Sequence, residues 1–153
     1  MKSTALLPIR ELSARIILAL VLVLLASAAS AIHPAFADTV TWYVNVSSGN
    51  DGNDCSTSGS ACKTLTAAIS KASAGDTIVL STGTYSATSG EVFPITIDKD
   101  LTIRGASASG TILYRTGASQ RVVAISGSDV DVVFENLTIR GGSDTTQSGG
   151  GIY

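Results

Sequence analysis

Short apolar runs separated by turn residues fill most of the chain after residue 75. Most of these runs have three or four residues and are rich in valine, isoleucine and threonine, which favour extended strands. Together with a longer run near residue 40, the predicted strands are 40–46, 77–80, 95–97, 101–103, 111–113, 122–125, 132–134 and 137–139. Since no helical pattern separates the later runs, a doubly wound α/β sheet is excluded.

One segment follows a helical period instead. Its apolar residues recur at i, i+3, i+4 and i+7 and would share one face of a helix: Leu65, Ala68, Ile69 and Ala72. Thr64 is predicted to cap the N-terminus of this helix, and Gly75 is predicted to end it. The pattern therefore predicts a single short helix before the main series of strands.

The N-terminal region has a third pattern, which is typical of an export signal. Basic residues precede an uninterrupted apolar run over residues 16–26, about half of the roughly 20 residues needed to span a bilayer. Ala-Phe-Ala at 35–37 matches the cleavage pattern of signal peptidase. We predict that residues 1–37 are a signal peptide, cleaved after Ala37 or alternatively after Ala31. A buried helix or an uncleaved membrane anchor is the other interpretation of the apolar run.

Composition and charge limit the function further. Of the 153 residues, 14% are charged, well below the roughly 25% of an average soluble domain. Without residues 1–37 the chain keeps 7 basic and 11 acidic residues, so its formal charge is −4 and no nucleic-acid partner is expected. His33, the only histidine, is removed with the signal peptide. A Ser-His-Asp triad, a Cys-His pair and a histidine-rich zinc site are therefore excluded.

The two cysteines, Cys55 and Cys62, flank a flexible segment rich in hydroxyl groups. In the oxidising compartment that an exported protein enters, a pair this close is most simply a local disulfide. A redox or metal-binding pair is the alternative, but the spacing is not C-x-x-C and no further cysteine or histidine ligand accompanies it. We predict a structural disulfide between Cys55 and Cys62.

An internal repeat indicates the architecture. Leu-Thr-Ile-Arg-Gly occurs at 101–105 and again at 137–141. Self-similar short strands are typical of repeat folds in which each unit stacks on its neighbour. The repeat predicts a β-solenoid whose equivalent strands lie side by side in parallel. An antiparallel sandwich is the alternative, although the later strands lack the Asn-Gly and Asp-Gly hairpin signals.

Few residues are candidates for chemistry. Asp98 with Asp100, and Asp129 with Asp131, are spaced so that two carboxylates could share one side of an extended segment and contact Ca²⁺. The Asn-Asp-Gly-Asn-Asp loop at 50–54 could offer further oxygens, but it lacks the EF-hand spacing. Both Asp pairs also lie between strands, where aspartate commonly forms turns. We assign no catalytic, metal-binding or cofactor-binding residue, and calcium is the single cofactor left open.

Other polar residues are given structural roles. Arg104 and Arg140 hold equivalent places in the repeat and are predicted to lie along one edge of the solenoid; arginine is also a poor base because it stays protonated. Asp76 is predicted to form a turn, and Asn136 to join a buried stack of amides. The tyrosines and Trp42 are too scattered to predict a sugar-stacking platform.

The order of several motifs is specific enough to suggest a superfamily. The motifs are Trp-Tyr-Val at 42–44, Gly-Asn-Asp-Gly-Asn-Asp at 49–54, Cys-Lys-Thr-Leu-Thr-Ala-Ala-Ile at 62–69, Gly-Asp-Thr-Ile-Val-Leu at 75–80 and Gly-Thr-Tyr at 83–85. This series resembles the N-terminal region of extracellular right-handed parallel β-helix proteins of the pectin-lyase-like superfamily. Phe-Glu-Asn at 134–136 and Gly-Gly-Gly-Ile at 149–152 are similar to repeats of polymorphic outer-membrane proteins.

The resemblance implies an all-β fold, a right-handed parallel β-helix with an N-terminal capping helix. Residues 38–75 would form the N-terminal strand, the disulfide loop and the capping helix, and residues 76–153 the first coils. Because the last residues are apolar and a solenoid needs a polar cap, we expect this chain to be the N-terminal fragment of a longer protein.

The same resemblance leaves two functions open, because the superfamily includes both lyases and non-enzymatic surface proteins. The leading expectation is a protein exported through the general secretory pathway, at the cell surface or secreted, with a structural, adhesive or glycan-binding role and no membrane span after cleavage. Its partner would be an extracellular polysaccharide or a ligand on a host or cell surface. The alternative is a Ca²⁺-dependent polysaccharide lyase whose active site lies in missing coils.

Overall fold

The computed structural model describes residues 38–117, 121–143 and 150–153. The predicted signal peptide, residues 1–37, lies outside the described residues and stays a prediction. Within the described part, no helix is long and apolar enough to cross a membrane.

Nine short strands and one α-helix form in the described residues. The strands are β1 (Thr41–Val44), β2 (Asp76–Leu80), β3 (Gly83–Tyr85), β4 (Ile95–Ile97), β5 (Leu101–Gly105), β6 (Thr111–Arg115), β7 (Val123–Ile125), β8 (Val132–Glu135) and β9 (Thr138–Gly141). The helix is α1 (Leu65–Lys71), and two 3-10 turns occur at Ser58–Ser60 and Ala87–Ser89. The strands lie close to the predicted runs, with β3 as an addition.

The strands form three sheets in which every pairing is parallel. The first sheet has the order β1-β2-β5-β8, the second β3-β6-β9, and the third β4-β7. The chain therefore passes through the first, second and third sheet in turn and then begins the next layer, so that β2, β3 and β4 form one layer and β5, β6 and β7 the next. These parallel pairings exclude the antiparallel sandwich.

Side chains of equivalent strands stack in rows inside the molecule. In the first sheet Ile78 aligns with Ile103, and in the second Tyr85 aligns with Leu113; all four are fully buried. Burial alternates along β2 and β5, which is the two-residue period of a strand with one face in the core. Each such side chain contributes about 1.5–3 kcal/mol relative to leaving it exposed. The rows therefore hold successive layers together.

The prediction that the two Leu-Thr-Ile-Arg-Gly segments are equivalent is wrong. The first forms β5 in the first sheet, whereas the second contributes β9 to the second sheet. True equivalents are closer in sequence, since Asp76 aligns with Leu101 and Leu101 aligns with Val132. The distance in sequence between the two pentapeptides therefore equals one full layer plus the connection from the first sheet to the second. Both sheets need the same alternating strand pattern, so the pentapeptide does not specify which sheet it joins.

Helix α1 covers the first layer much as its apolar stripe predicts. The stripe is buried throughout: Leu65, Ala68, Ile69 and Ala72. Thr64 is the predicted N-cap, and its hydroxyl accepts a hydrogen bond from the Ala67 N–H at 3.1 Å. The predicted end at Gly75 is wrong, because the helix stops at Lys71 and Ala72 is already extended. Gly75 instead has a φ of 89° in the turn before β2.

The disulfide loop lies along β1 on the side away from β2. The Tyr43 N–H donates to the Cys55 carbonyl at 2.8 Å, and the Cys62 N–H donates to the Tyr43 carbonyl at 2.9 Å. The Asn45 N–H in turn donates to the Cys62 carbonyl at 2.8 Å, so the loop continues the parallel pairing of the sheet. The loop thereby satisfies backbone groups of β1 that no strand pairs with.

Asn136 is exposed at the corner between β8 and β9, and the predicted buried amide stack is wrong. Its φ is 52°, in the left-handed region that asparagine tolerates better than most residues. Its carbonyl oxygen lies close to Gly105 of the preceding layer. Asn136 therefore shapes a tight corner and does not fill the core.

Candidate functional site

The two Asp pairs proposed for calcium lie between the third and first sheets in successive layers. Asp98 and Asp100 separate β4 from β5, and Asp129 and Asp131 separate β7 from β8. One Asp100 oxygen accepts the Asp131 N–H at 2.8 Å, which ties the two layers together. Among the described residues, no group of three or more Asp, Glu, Cys or His side chains is arranged to hold a metal ion.

The 50–54 loop uses its oxygens for its own folding. One Asp51 oxygen accepts the N–H groups of Lys63 and Thr64 at 2.8 and 2.9 Å. Asp54 accepts the Ser60 hydroxyl at 2.6 Å, and this bond and those from Ser56 hold the pKa of the Asp54 carboxyl below its usual value. These oxygens position the disulfide loop and the helix N-terminus.

Asp76 is a buried carboxylate that joins the first two strands. It accepts hydrogen bonds from the Val40 N–H at 2.9 Å, the Trp42 indole N–H at 2.8 Å and the Ser73 N–H at 2.8 Å. Its own N–H donates to the Ser73 carbonyl, so the predicted turn exists. The turn is only part of its role, because the carboxylate also binds Val40, just before β1, and Trp42, within β1. Both residues precede the disulfide loop and helix α1 in the sequence.

The titration of Asp76 predicts a loss of stability in acid. Burial by itself would raise the pKa, but the bonds from Trp42, Val40 and Ser73 outweigh it and lower the pKa of the folded state. A carboxyl with a lowered folded pKa contributes stability that is fully present above its unfolded value of about 3.9 and is lost as pH falls through the folded pKa. Below about pH 4, urea midpoints of the wild type should therefore fall more steeply than those of Asp76→Asn. Equal slopes would contradict the assignment.

Glu91 is the second buried carboxylate, and it caps helix α1 from a distant point in the sequence. One oxygen accepts the Leu65 N–H at 2.7 Å, and the other accepts the Thr66 N–H at 3.0 Å and the Thr66 hydroxyl at 2.5 Å. A negative group here satisfies amides that the first helical turn cannot bond internally. With Asp51 and Thr64, Glu91 completes the capping of a helix of only seven residues.

The predicted disulfide between Cys55 and Cys62 is present, and both residues are fully buried. It closes the loop whose backbone pairs with β1, so its constraint acts directly on the N-terminal part of the first sheet. The bridge is structural in this position, because neither sulfur is exposed.

Removing the disulfide should lower the free energy of unfolding by about 2–3 kcal/mol, because the unfolded chain gains the freedom of a short loop. The Cys55→Ser/Cys62→Ser protein should unfold at a lower urea concentration than the oxidised wild type. Dithiothreitol should produce a similar loss in the wild type and no change in the double variant. Equal midpoints for variant and oxidised wild type would show that the bridge contributes nothing.

The two repeat arginines have different surroundings. Arg104 lies on the outer face of the first sheet and forms an ion pair with its register partner Glu135, with Nε and Oε2 2.6 Å apart. Arg140 lies in the second sheet, where its guanidinium carbon is 4.8 Å from the centre of the Tyr114 ring, its register partner. The prediction of a common edge is wrong, because Arg104 belongs to β5 in the first sheet and Arg140 to β9 in the second.

Two further arginines lie over aromatic rings between the second and third sheets. Arg115, at the end of β6, is 5.5 Å from the centre of the Phe93 ring, and its buried Nε has no hydrogen-bond partner in the described part of the chain. Arg121, before β7, is 3.8 Å from the centre of the Tyr153 ring. Such stacking orients a guanidinium group through the attraction between its charge and the face of the ring.

A shallow cavity of about 240 Å³ opens on the outer face of the first sheet. Tyr43 and Val79 of the first sheet, Ser58 and Ala61 of the disulfide loop, and Ala106 are among the residues that line it. The described residues that line it include no carboxylate, amine, guanidinium or imidazole. The cavity can therefore take up an apolar group.

A protein-family model matches residues 47–152, more than two thirds of the chain. The chain belongs to the DUF1565 family. DUF1565 proteins are described as having unknown function, and the family is associated with parallel β-helix proteins, in agreement with the parallel sheets. No match to the chain was found among curated proteins or among solved structures.

Three residues of this DUF1565 chain were not predicted from its sequence: Glu91, Arg115 and Arg121. Glu91 gives no local signal, because its partners Leu65 and Thr66 lie on the helix, far from it in sequence. The tyrosines are scattered along the chain, yet Tyr114 and Tyr153 each lie under an arginine. Aligning the strands layer by layer would have paired Tyr114 with Arg140. The pentapeptide repeat instead paired residues 137–141 with residues 101–105.

Proposed function

We propose that this DUF1565 chain is an exported protein of the cell surface or the medium, with a structural, adhesive or glycan-binding role and no catalytic site in the described residues. We further propose that the three sheets wind as a right-handed parallel β-helix of the pectin-lyase-like type, with repeats like those of polymorphic outer-membrane proteins. The chain enters the three sheets in the same order in each layer, which supports a helical winding. Crossover connections between parallel strands are strongly right-handed in general, which supports the handedness.

The observation that carries the non-catalytic role is the use of the carboxylates. Asp76 and Glu91 are buried and each accepts at least three hydrogen bonds from neighbouring segments, while Asp51 and Asp100 accept backbone N–H groups. A general acid or a calcium ligand needs a carboxylate whose oxygens face the reacting groups or the ion. Here these oxygens stabilise the fold, which leaves the outer faces of the sheets as surfaces for binding.

Export can be tested on the full chain in its own cell. Fractionation with an antibody should find the protein at the surface or in the medium, and N-terminal sequencing should begin at Asp38 or, with the alternative cleavage site, at Ile32. A protein that stays in the cytoplasm with Met1 intact would refute the proposal.

The lyase alternative predicts a different measurement. Incubation of the exported protein with polygalacturonate should give no unsaturated product, with or without added Ca²⁺. Product that appears with Ca²⁺ and disappears with a chelator would refute the non-catalytic role.

A further inference from the structure

Two tripeptides of the chain fit the acceptor pattern for N-linked glycosylation, in which asparagine is followed by any residue except proline and then by serine or threonine. Asn-Val-Ser at 45–47 comes directly after β1, and Asn-Leu-Thr at 136–138 forms the corner between β8 and β9. Because the pattern also occurs by chance, the surroundings of each asparagine must show whether it can carry a sugar chain.

Asn136 presents its side-chain amide to solvent. The residue is exposed, and its side chain forms no hydrogen bond with the described part of the chain. Its backbone makes the corner, with a φ of 52° and a carbonyl oxygen close to Gly105 of the preceding layer. The corner therefore uses the backbone of Asn136 and not its amide, so a bulky group on the amide nitrogen has solvent to occupy.

Asn45 has the opposite surroundings and serves as a comparison within the chain. The residue is half-buried, and its side-chain Oδ1 accepts the N–H groups of Ser47 and Ser48 at 3.0 and 3.1 Å. It also lines the cavity beside the disulfide loop. A glycan here would start from an amide that is packed into a turn. Of the two asparagines, Asn136 alone combines the acceptor pattern with full access to solvent.

We infer that Asn136 is a site of N-linked glycosylation in the exported protein. The inference rests on the proposed function, because the acceptor pattern has this meaning in secreted proteins. The co-reactants are a lipid-linked oligosaccharide and a transferase of the producing cell. In the transfer, Nδ2 of Asn136 forms a bond to the anomeric carbon of a sugar carried on a lipid diphosphate and loses one proton to a base of the transferase. The bond between that carbon and the diphosphate oxygen breaks, and the lipid diphosphate leaves with its electron pair.

Mass spectrometry of the full chain, purified from the surface or the medium of its own cells, tests the inference directly. Trypsin should separate the two asparagines, because the N-terminal peptide of the mature chain ends at Lys63 and carries Asn45, while the peptide 122–140 carries Asn136. We expect a glycan on the peptide 122–140, placed on Asn136 by fragmentation, and an unmodified N-terminal peptide.

Two substitutions should remove the glycan in independent ways. Asn136→Gly deletes the amide but suits the left-handed backbone of the corner, and Thr138→Ala keeps the amide but lacks the hydroxyl of the acceptor pattern. Both variants should lose the glycan completely. Thr138→Ser keeps a hydroxyl and should retain the glycan, and Asn45→Gln should leave it unchanged. Thermal unfolding would verify that each variant folds.

Other results would contradict this assignment. An unmodified peptide 122–140 from a protein that begins at Asp38 or Ile32 would overturn the inference and leave the export proposal standing. A glycan on Asn45, alone or in addition, would show that exposure does not select the site. A glycan that persists in Thr138→Ala would show that the acceptor pattern is not what is recognised. A protein found only in the cytoplasm would refute the proposed function itself.

Discussion

Asp76→Ala is expected to lower the free energy of unfolding by about 3 kcal/mol or more. The substitution removes three partly buried hydrogen bonds, from Val40, Trp42 and Ser73, and each hydrogen bond to a charged group contributes about 1.5–3 kcal/mol. Because the Asp76 carboxylate holds β1 to β2, we expect its removal to loosen β1 first. Urea unfolding followed by circular dichroism would give the change in stability.

Trp42 provides a local readout of the same event. It is the only tryptophan in the chain, and its indole N–H donates to Asp76. Its emission should shift to longer wavelength in Asp76→Ala even below the unfolding transition, as the indole becomes more exposed. Asp98→Ala is the matched control, since Asp98 is exposed and its contact with Lys99 is a weak 3.8 Å ion pair. That control should change stability by no more than about 0.5 kcal/mol. An Asp76→Ala protein with wild-type midpoint and emission would contradict the role given to Asp76.

Gly105→Ala should be similarly damaging, at about 3 kcal/mol, because there is no space for a methyl group. A Cβ at this position would lie 2.3 Å from the Asn136 carbonyl oxygen and 2.8 Å from the Thr111 Cβ. The first contact is with the backbone of the next layer and the second with the second sheet, so neither can be relieved by rotating a flexible side chain. Two successive layers would have to separate at this corner.

Gly59→Ala is the control for Gly105→Ala. Gly59 is exposed in a 3-10 turn, and the nearest atom to its added Cβ, the Thr57 hydroxyl oxygen, would be 3.9 Å away. We expect this control to be neutral or slightly stabilising, because alanine restricts the unfolded chain. Thermal unfolding of both variants distinguishes steric conflict from a general effect of replacing glycine. A Gly105→Ala protein as stable as Gly59→Ala would show that the layers adjust at little cost.

Local sequence patterns predicted the elements of this fold well. The alternation of apolar residues located the strands, the Thr64 cap located the start of the helix, and the spacing of Cys55 and Cys62 predicted their disulfide. Each of these depends on residues a few positions apart, where backbone geometry and side-chain reach are set by the local chain.

Long-range partnerships could not be read in the same way. The step from Asp76 to its partner Leu101 is shorter than the step from Leu101 to Val132, so the layers differ in length and no fixed period reveals the register. The contrast between Arg104 and Arg140 shows the consequence, because identical pentapeptides acquire an ion pair in one sheet and an aromatic stack in the other. The environment of a side chain in stacked layers is set by the neighbouring layer.

The backbone bonds between the disulfide loop and β1 have a further consequence for how molecules meet each other. An uncovered outermost strand is a template on which another chain can add a strand, and this is a common start of aggregation. Here the Cys55 and Cys62 backbone occupies that template, and the covalent bridge keeps it there. Reduction would therefore do more than weaken the fold. It would expose the unpaired backbone N–H and C=O groups along the edge of β1 and favour association of one molecule with the next.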